Sequence, residues 1–327
     1  MGEVRTVAQA PTGEVFAALR TGEVKVFEDR DQDGVSDDRW TFARNLELPF
    51  GLAFRGDREL FVAATSALWR FARRPGQRAP DGAPTRVIPL PGHGYHQHWT
   101  RNVVVSPDGA HVYVSVGSET NVDPEPDPRA AIVRVGADGA GMTVFARGLR
   151  NPVGLAFAPD GRLFAAVNER DELGDDLPPD YLTSVVEGAH YGWPYAYWGA
   201  HEDPRRRGER PDIVARARVP DVSLGAHTAP ISVVFPRRGG VNVPTGDALV
   251  SLHGSWNRAR HAGYKVVRVR FRDGVAQGAP EDFLTGWLRP DGAAWGRPAG
   301  MCELRDGSLL VVDDWDQSIW RVARAAP

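Results

Sequence analysis

The stretch that decides the fold is RNPVGLAFAPDGRLFAAVNERD, Arg150 to Asp171. An apolar run (Val153 to Phe157) meets a Pro-Asp-Gly turn (Pro159 to Gly161), and a second apolar run follows (Leu163 to Val167). Two short apolar runs around a turn containing glycine read as paired inner strands of a sheet. The second run ends in a polar cluster, Asn168-Glu169-Arg170-Asp171, and the first is preceded by Arg150 and Asn151. A guanidinium, an amide and carboxylates therefore arrive at the ends of two neighbouring strands. That grouping suits an anionic ligand held beside a hard cation.

The same unit recurs along the chain. It appears as VRTVAQAPTGEVFAAL from Val4, PFGLAFRGDRELFVAA from Pro49, and NVVVSPDGAHVYVSVGS from Asn102. It returns less regularly as HTAPISVVF and GDALVSLHGSW, and again as RPAGMCELRDGSLLVVDD from Arg297. The first four turns are spaced by about 50 residues, the period of four-stranded propeller blades. Amphipathic third strands follow, as in KVFED, LWRFA and IVRVG. No segment keeps a helical period. Six units predict an all-β, six-bladed β-propeller, with residues 1–327 as one propeller domain. The outermost strand of the last blade is expected to be missing or to be supplied by the first residues.

Bulk properties fit and exclude. The 327 residues are 42% hydrophobic and 25% charged, with 36 glycines, 26 prolines and 10 tryptophans. Frequent turns and aromatics favour strands over helices. A formal charge of -3 gives no reason to expect nucleic acid or an anionic membrane as partner. No apolar run reaches the length of a membrane span. No charged-then-apolar leader is visible before Val4. Cys302 is the only cysteine, which excludes an internal disulfide, a cysteine-based zinc site and a C-x-x-C-H haem attachment. Electrons from any redox step must leave through another cofactor or a partner.

Four stretches carry a resemblance: HQHWTRNVVVSPDG from His96, RNPVGLAFAPDG from Arg150, GAHYGWP from Gly188, and GDALVSLHGSWNRARHAGYKVVRV from Gly246 with EDFLTGWL behind it. The chain resembles the glucose/sorbosone dehydrogenase family, propellers that use pyrroloquinoline quinone (PQQ) and calcium, and looks closest to its L-sorbosone dehydrogenase-like branch. The resemblance implies hydride transfer from a small sugar substrate to the quinone, and an external electron acceptor such as a cytochrome, quinone or dye. It implies a histidine base that falls on His98, with His96 as the substitute and His93 close by. A neutral imidazole suits the removal of a hydroxyl proton. Arg150 and Asn151 match the pair that faces the quinone, where charge grows on oxygen. The family calcium, held partly by backbone, aligns with Glu169, Arg170 and Asp171; Asp175 and Asp176 are expected to hold the loop. Arg297 matches one family arginine that meets the cofactor. The second falls near Ala299 and is absent, while the family lysine aligns with His253, and Arg258 is its replacement. A family carboxylate is replaced near Ser118-Glu119, so substrate choice is expected to differ. Export, to the periplasm or outside the cell, is a further implication of the resemblance.

A separate motif, Asp29-Arg30-Asp31-Gln32-Asp33-Gly34, continues to Asp37. Its D-x-D-x-D-G spacing, with Asp29, Asp31, Asp33 and Asp37, is that of a calcium loop without the final glutamate. It is expected to clip the loop between blades one and two. Two other functions compete with sugar oxidation. One is a calcium-dependent lactonase or esterase; the other is a noncatalytic binding propeller that has lost PQQ. Fold alone does not choose among them.

Overall fold

The computed structural model describes residues 3–94 and 98–324. Its strands form six antiparallel sheets arranged as the blades of a propeller. Blade one comprises Val4–Gln9, Val15–Leu19, Glu23–Glu28 and Asp38–Ala43. Blade two comprises Gly51–Arg55, Glu59–Ala64, Ala67–Ala72 and Thr85–Pro89, and blade three Val103–Val105, His111–Val116, Ala131–Gly136 and Thr143–Arg147. Blade four is built from Asn151–Phe157, Leu163–Asn168, Pro179–Ser184 and Val222–Ala226. Its last two strands are separated by an insertion carrying a short hairpin and the helix Pro211–Arg216. Blade five is Pro230–Val234, Ala248–Leu252, Lys265–Arg272 and Val275–Leu284. Blade six has three strands among the described residues, Pro298–Glu303, Leu309–Asp313 and Ser318–Val322.

Among the described residues, the start of the chain does not supply a fourth strand to blade six. Val4–Gln9 is the inner strand of blade one, paired with Val15–Leu19, and the ring closes by packing against blade six. A Cβ on Gly300 would lie 2.6 Å from the Thr6 Cα, so only glycine allows this approach. Gly51 plays the same part between blades two and three, where a Cβ would meet the Val103 nitrogen at 2.6 Å. Hydrogen bonds act as spokes between blades. Asn102 donates to the Val153 carbonyl at 2.8 Å, Asn168 to Pro230 at 2.7 Å, and Ser251 to Ala299 at 2.6 Å.

The core is a set of apolar layers between neighbouring blades. Leu60, Val62, Phe16 and Val24 fill the space between blades one and two, and Phe164, Leu182, Val233 and Val250 that between four and five. Each such side chain contributes roughly 1.5–3 kcal/mol when fully buried. Alternation along second strands is lost because both faces are covered, as in Ala248–Leu252, which is buried throughout.

Candidate functional site

The starts of inner strands and the ends of second strands open on one face of the ring. There a cavity of about 620 Å³ is lined by His98, Arg150, Asn151, Asn168, Glu169 and Asp171, with Asn121, Asp180, His227, Trp256 and Asn257 also in its wall. The structure thus brings together the histidine, the Arg-Asn pair and, from the polar cluster after Val167, Asn168, Glu169 and Asp171. His96 lies outside the described residues.

His98 sits just before blade three with φ of 52°, a conformation rare for a non-glycine residue. Its Nδ1 lies 2.8 Å from the Ser118 carbonyl and 2.9 Å from the Ser118 hydroxyl. A carbonyl only accepts, so Nδ1 carries the proton and Nε2 keeps its lone pair. The buried Arg101 fixes the backbone here by donating to the carbonyls of His98 at 2.7 Å and Pro91 at 2.6 Å. Burial pulls the imidazole well below the usual histidine value, and the Arg150 charge adds to this.

Arg150 is 3% exposed and densely bonded. Its Nε donates to the Asn121 carbonyl at 3.1 Å and Nη1 to the Glu169 carbonyl at 2.6 Å. Nη2 donates to Asn121 Oδ1 at 2.9 Å and to Asp171 Oδ2 at 3.2 Å. Asp171 also accepts from Asn257 at 2.6 Å, and His227 Nδ1 stands 3.6 Å from it. Two acceptors at the cavity, Asn151 Oδ1 and Glu169 Oε1, are buried without a hydrogen-bond partner among the described residues. Burial raises the Glu169 carboxyl to about 7 and the Asp180 carboxyl to about 6. Asp180 nevertheless accepts from the main chain of Glu169 and of Ala229, both at 2.8 Å, tying blade four to the start of blade five.

Other expected residues stand apart from this wall. The Arg170 side chain is 1% exposed and pairs with Asp203 of the blade-four insertion at 3.1 Å. His253 bonds Asp314 through Nε2 at 2.8 Å, and burial holds it at about 4, so it is neutral where a lysine would be charged. Arg297 donates to the Gly254 carbonyl at 2.6 Å, and Arg258 to Asp176 at 2.7 Å. Asp175, by contrast, lines the cavity and accepts from the Ala259 main chain at 3.0 Å.

The acidic loop joins the third and fourth strands of blade one, and does not link blades one and two. Asp29, Asp31 and Asp37 gather their carboxylates within 4.8 Å of one another, all exposed. Asp33 is outside this group; its Oδ1 accepts from the Val35 main chain at 2.7 Å. The short Asx turn after Asp33 directs that carboxylate back onto its own loop.

Asn121, Asp180, His227, Trp256 and Asn257 escaped sequence reasoning. His227 opens the HTAPISVVF unit, and Trp256 and Asn257 lie in the GDALVSLHGSWNRARH stretch, but the sequence assigned none of the three a role; Asn121 lies in no stretch that it singled out. No described helix is long and apolar enough to cross a membrane.

The family model described as TrAA12-like matches residues 1–208 and 209–286. An uncharacterized protein of Borreliella burgdorferi is 31% identical over 241 residues, which is 71% of this chain and 62% of that protein. The chain therefore spans less than two thirds of that relative's length. Among solved structures, the iodide structure of Trichoderma reesei carbohydrate-active enzyme family AA12 superposes with a TM-score of 0.85 at 20% identity, covering 99% of this chain and 93% of that one. The holo PQQ domain of pyranose dehydrogenase from Coprinopsis cinerea gives 0.84 at 19%, with the same coverage of 99% and 93%. PQQ-bound aldose sugar dehydrogenase from Streptomyces coelicolor gives 0.71 at 17%, covering 99% and 94%. At these identities the structural likeness shows the fold. The family match covers most of the chain, and the chain belongs to the TrAA12-like family.

Proposed function

We propose that the chain oxidises a sugar or aldose with PQQ and calcium, with His98 as the general base. The observation that carries this reading is the His98–Ser118 bond, 2.8 Å from Nδ1 to a carbonyl oxygen. It leaves Nε2 as the unprotonated nitrogen of a histidine that lines the same cavity as Arg150. A base with a depressed value stays unprotonated through neutral pH, ready to take a hydroxyl proton.

The donor set fits the two groups. A cavity of about 620 Å³ has the size of a small-molecule site. Glu169, Asp171, Glu172, Asp175 and Asp180 line it against a single guanidinium, an excess of carboxylates that suits a hard divalent cation. Glu169 Oε1 and Asn151 Oδ1 are acceptors in need of a partner. Glu169 and Asp171 would hold calcium, and Arg150 and Asn151 would hold the quinone edge. The backbone of Arg170 is available as a ligand, whereas its side chain is committed to Asp203. PQQ, when bound, supplies the hydride acceptor. Arg150 presents positive charge to an oxygen that becomes more negative, and the buried wall strengthens that interaction. Trp256, 76% exposed at the cavity, offers a flat face to a planar ring. Electrons then pass to an external acceptor, either a protein or a dye.

The test is reconstitution. Purified protein given PQQ and calcium should reduce a dye when an aldose is added, and His98→Ala should abolish turnover while retaining PQQ. Lactone hydrolysis without PQQ would replace this reading with the hydrolytic one. Absence of both PQQ binding and turnover would leave a noncatalytic propeller.

A further inference from the structure

The GAHYGWP stretch from Gly188 does not line the cavity, yet one of its side chains reaches the site through a single intermediary. Trp193 Nε1 donates to the main-chain oxygen of Asn121 at 2.9 Å. The same oxygen accepts Arg150 Nε at 3.1 Å. Asn121 Oδ1 accepts from Arg150 Nη2 and from the Asp171 main chain, both at 2.9 Å, and Asn121 Nδ2 donates to the Asp171 carbonyl at 3.3 Å. Asn121 therefore grips the guanidinium at two points and the following acidic loop at two more.

This grip limits what Arg150 offers a ligand. A guanidinium has five N–H donors. Nε, one Nη1 and both Nη2 donors are bonded to Asn121, Glu169 and Asp171. Among the described residues, one Nη1 donor remains without a partner. Such a group addresses a single oxygen and is unsuited to the two-point clasp of a carboxylate. A lone donor is effective only when its direction is fixed. The backbone completes the link to the base: Ser118, which holds His98, donates its own N–H to the Arg150 carbonyl at 2.8 Å.

We propose that Asn121, steadied by the Trp193 indole, is the positioning residue that aims the last N–H of Arg150 into the cavity and keeps its charge beside His98. This rests on the oxidation reading for its consequence in turnover, but not for its geometry. The charged groups that face His98 are Arg150, Arg101 and Arg129. Only Arg150 is bonded to Asn121 among them.

The experiment follows the His98 imidazole by NMR titration in cofactor-free protein. Asn121→Ala removes the Oδ1 acceptor of Nη2 and the side-chain ties to Asp171 but keeps the main-chain acceptor of Nε. The guanidinium, loosened on that side, shifts from His98, and the imidazole should titrate higher by about half a pH unit or more. Trp193→Phe, which removes only the indole donor, should shift it the same way by less. With PQQ and calcium present, Asn121→Ala should lower kcat by about 10- to 100-fold with KM little changed. A wild-type titration in folded Asn121→Ala overturns the proposal, and so does a wild-type titration in Trp193→Phe. Should Asn121→Ala fail to fold, Trp193→Phe alone decides. Loss of dye reduction in every form, including wild type, rejects the oxidation reading and leaves the titration to judge the positioning. An unmoved titration with normal dye reduction rejects the positioning alone.

Discussion

Gly117 and Asn151 approach so closely that a Cβ on the glycine would stand 2.5 Å from Asn151 Oδ1, and 2.7 Å from the Cβ of His98. Three segments of the site meet at this one missing side chain. Gly117→Ala should therefore push apart the histidine and the amide while leaving the blades assembled. The expected cost is about 1–3 kcal/mol of stability, as for other overpacked sites. Turnover after reconstitution should fall by at least about 100-fold. Urea unfolding and dye reduction measure the two effects separately; unchanged turnover would mean that His98 and Asn151 do not act together.

Arg170 and Asp203 form a buried ion pair that joins the cavity loop to the blade-four insertion. Asp203→Asn leaves a buried guanidinium without its charge partner, a loss of about 3–5 kcal/mol. Replacing both by Met and Leu should recover much of it, since the pair's desolvation is removed together with its attraction. Denaturant midpoints of the single and double variants test this, and equal midpoints for both would contradict it.

Acid sensitivity follows from buried neutral imidazoles. Burial holds His253 at about 4, below its usual 6.5, although Asp314 opposes the shift. The folded value is depressed, so its stabilising effect is complete above pH 6.5. It is lost as pH falls from there through about 4. Asp314, held at about 2 chiefly by its bond to His253 against burial, stays ionised across that window. His253 contributes on the order of 3 kcal/mol to this loss. His253→Asn should flatten the decline between pH 6.5 and 4 in urea titrations. An equally steep decline in the variant would remove His253 as the cause.

The same logic sets the rate profile. Because His98 also lies well below the usual value, its base form persists on the acid side of neutrality. Turnover limited by this base should stay flat through neutral pH and fall only well below the ordinary histidine value. A midpoint near the ordinary histidine value would show that burial and the Arg150 charge do not act on His98 as described.

Trp256 is exposed yet belongs to the cavity wall. Addition of PQQ with calcium should quench its fluorescence, and Trp256→Phe should lose that part of the signal. Trp256→Ala should weaken PQQ binding about fivefold, the equivalent of roughly 1 kcal/mol of ring contact. Quenching of equal size in Trp256→Phe would locate the ligand elsewhere.

The propeller itself was legible because its signal is local and repeated. Apolar runs around glycine turns recur at blade spacing, and Gly51 and Gly300 stand where inner strands must nearly touch. Arg150, Asn151, Glu169 and Asp171 were also legible, since they flank paired strands whose register brings Asn151 opposite Asn168. The gathering of Asp29, Asp31 and Asp37 could be read from their spacing, but the place of Asp33 outside that group and the blade the loop belongs to could not.

Direction and partnership came only with the tertiary structure. His253, Arg258 and Arg297 occupy the expected places along the chain, yet their polar atoms are claimed by Asp314, Asp176 and a main-chain carbonyl in other loops. Asn121, His227 and Asn257 reach one cavity from segments far apart in sequence. Closing a ring of sheets sets which loops face one another, and hydrogen bonds between those loops decide where each side chain points. Strand periodicity carries neither kind of information, so the sequence determined the scaffold and several of its polar ends, while the folded ring selected the partners that give them a role.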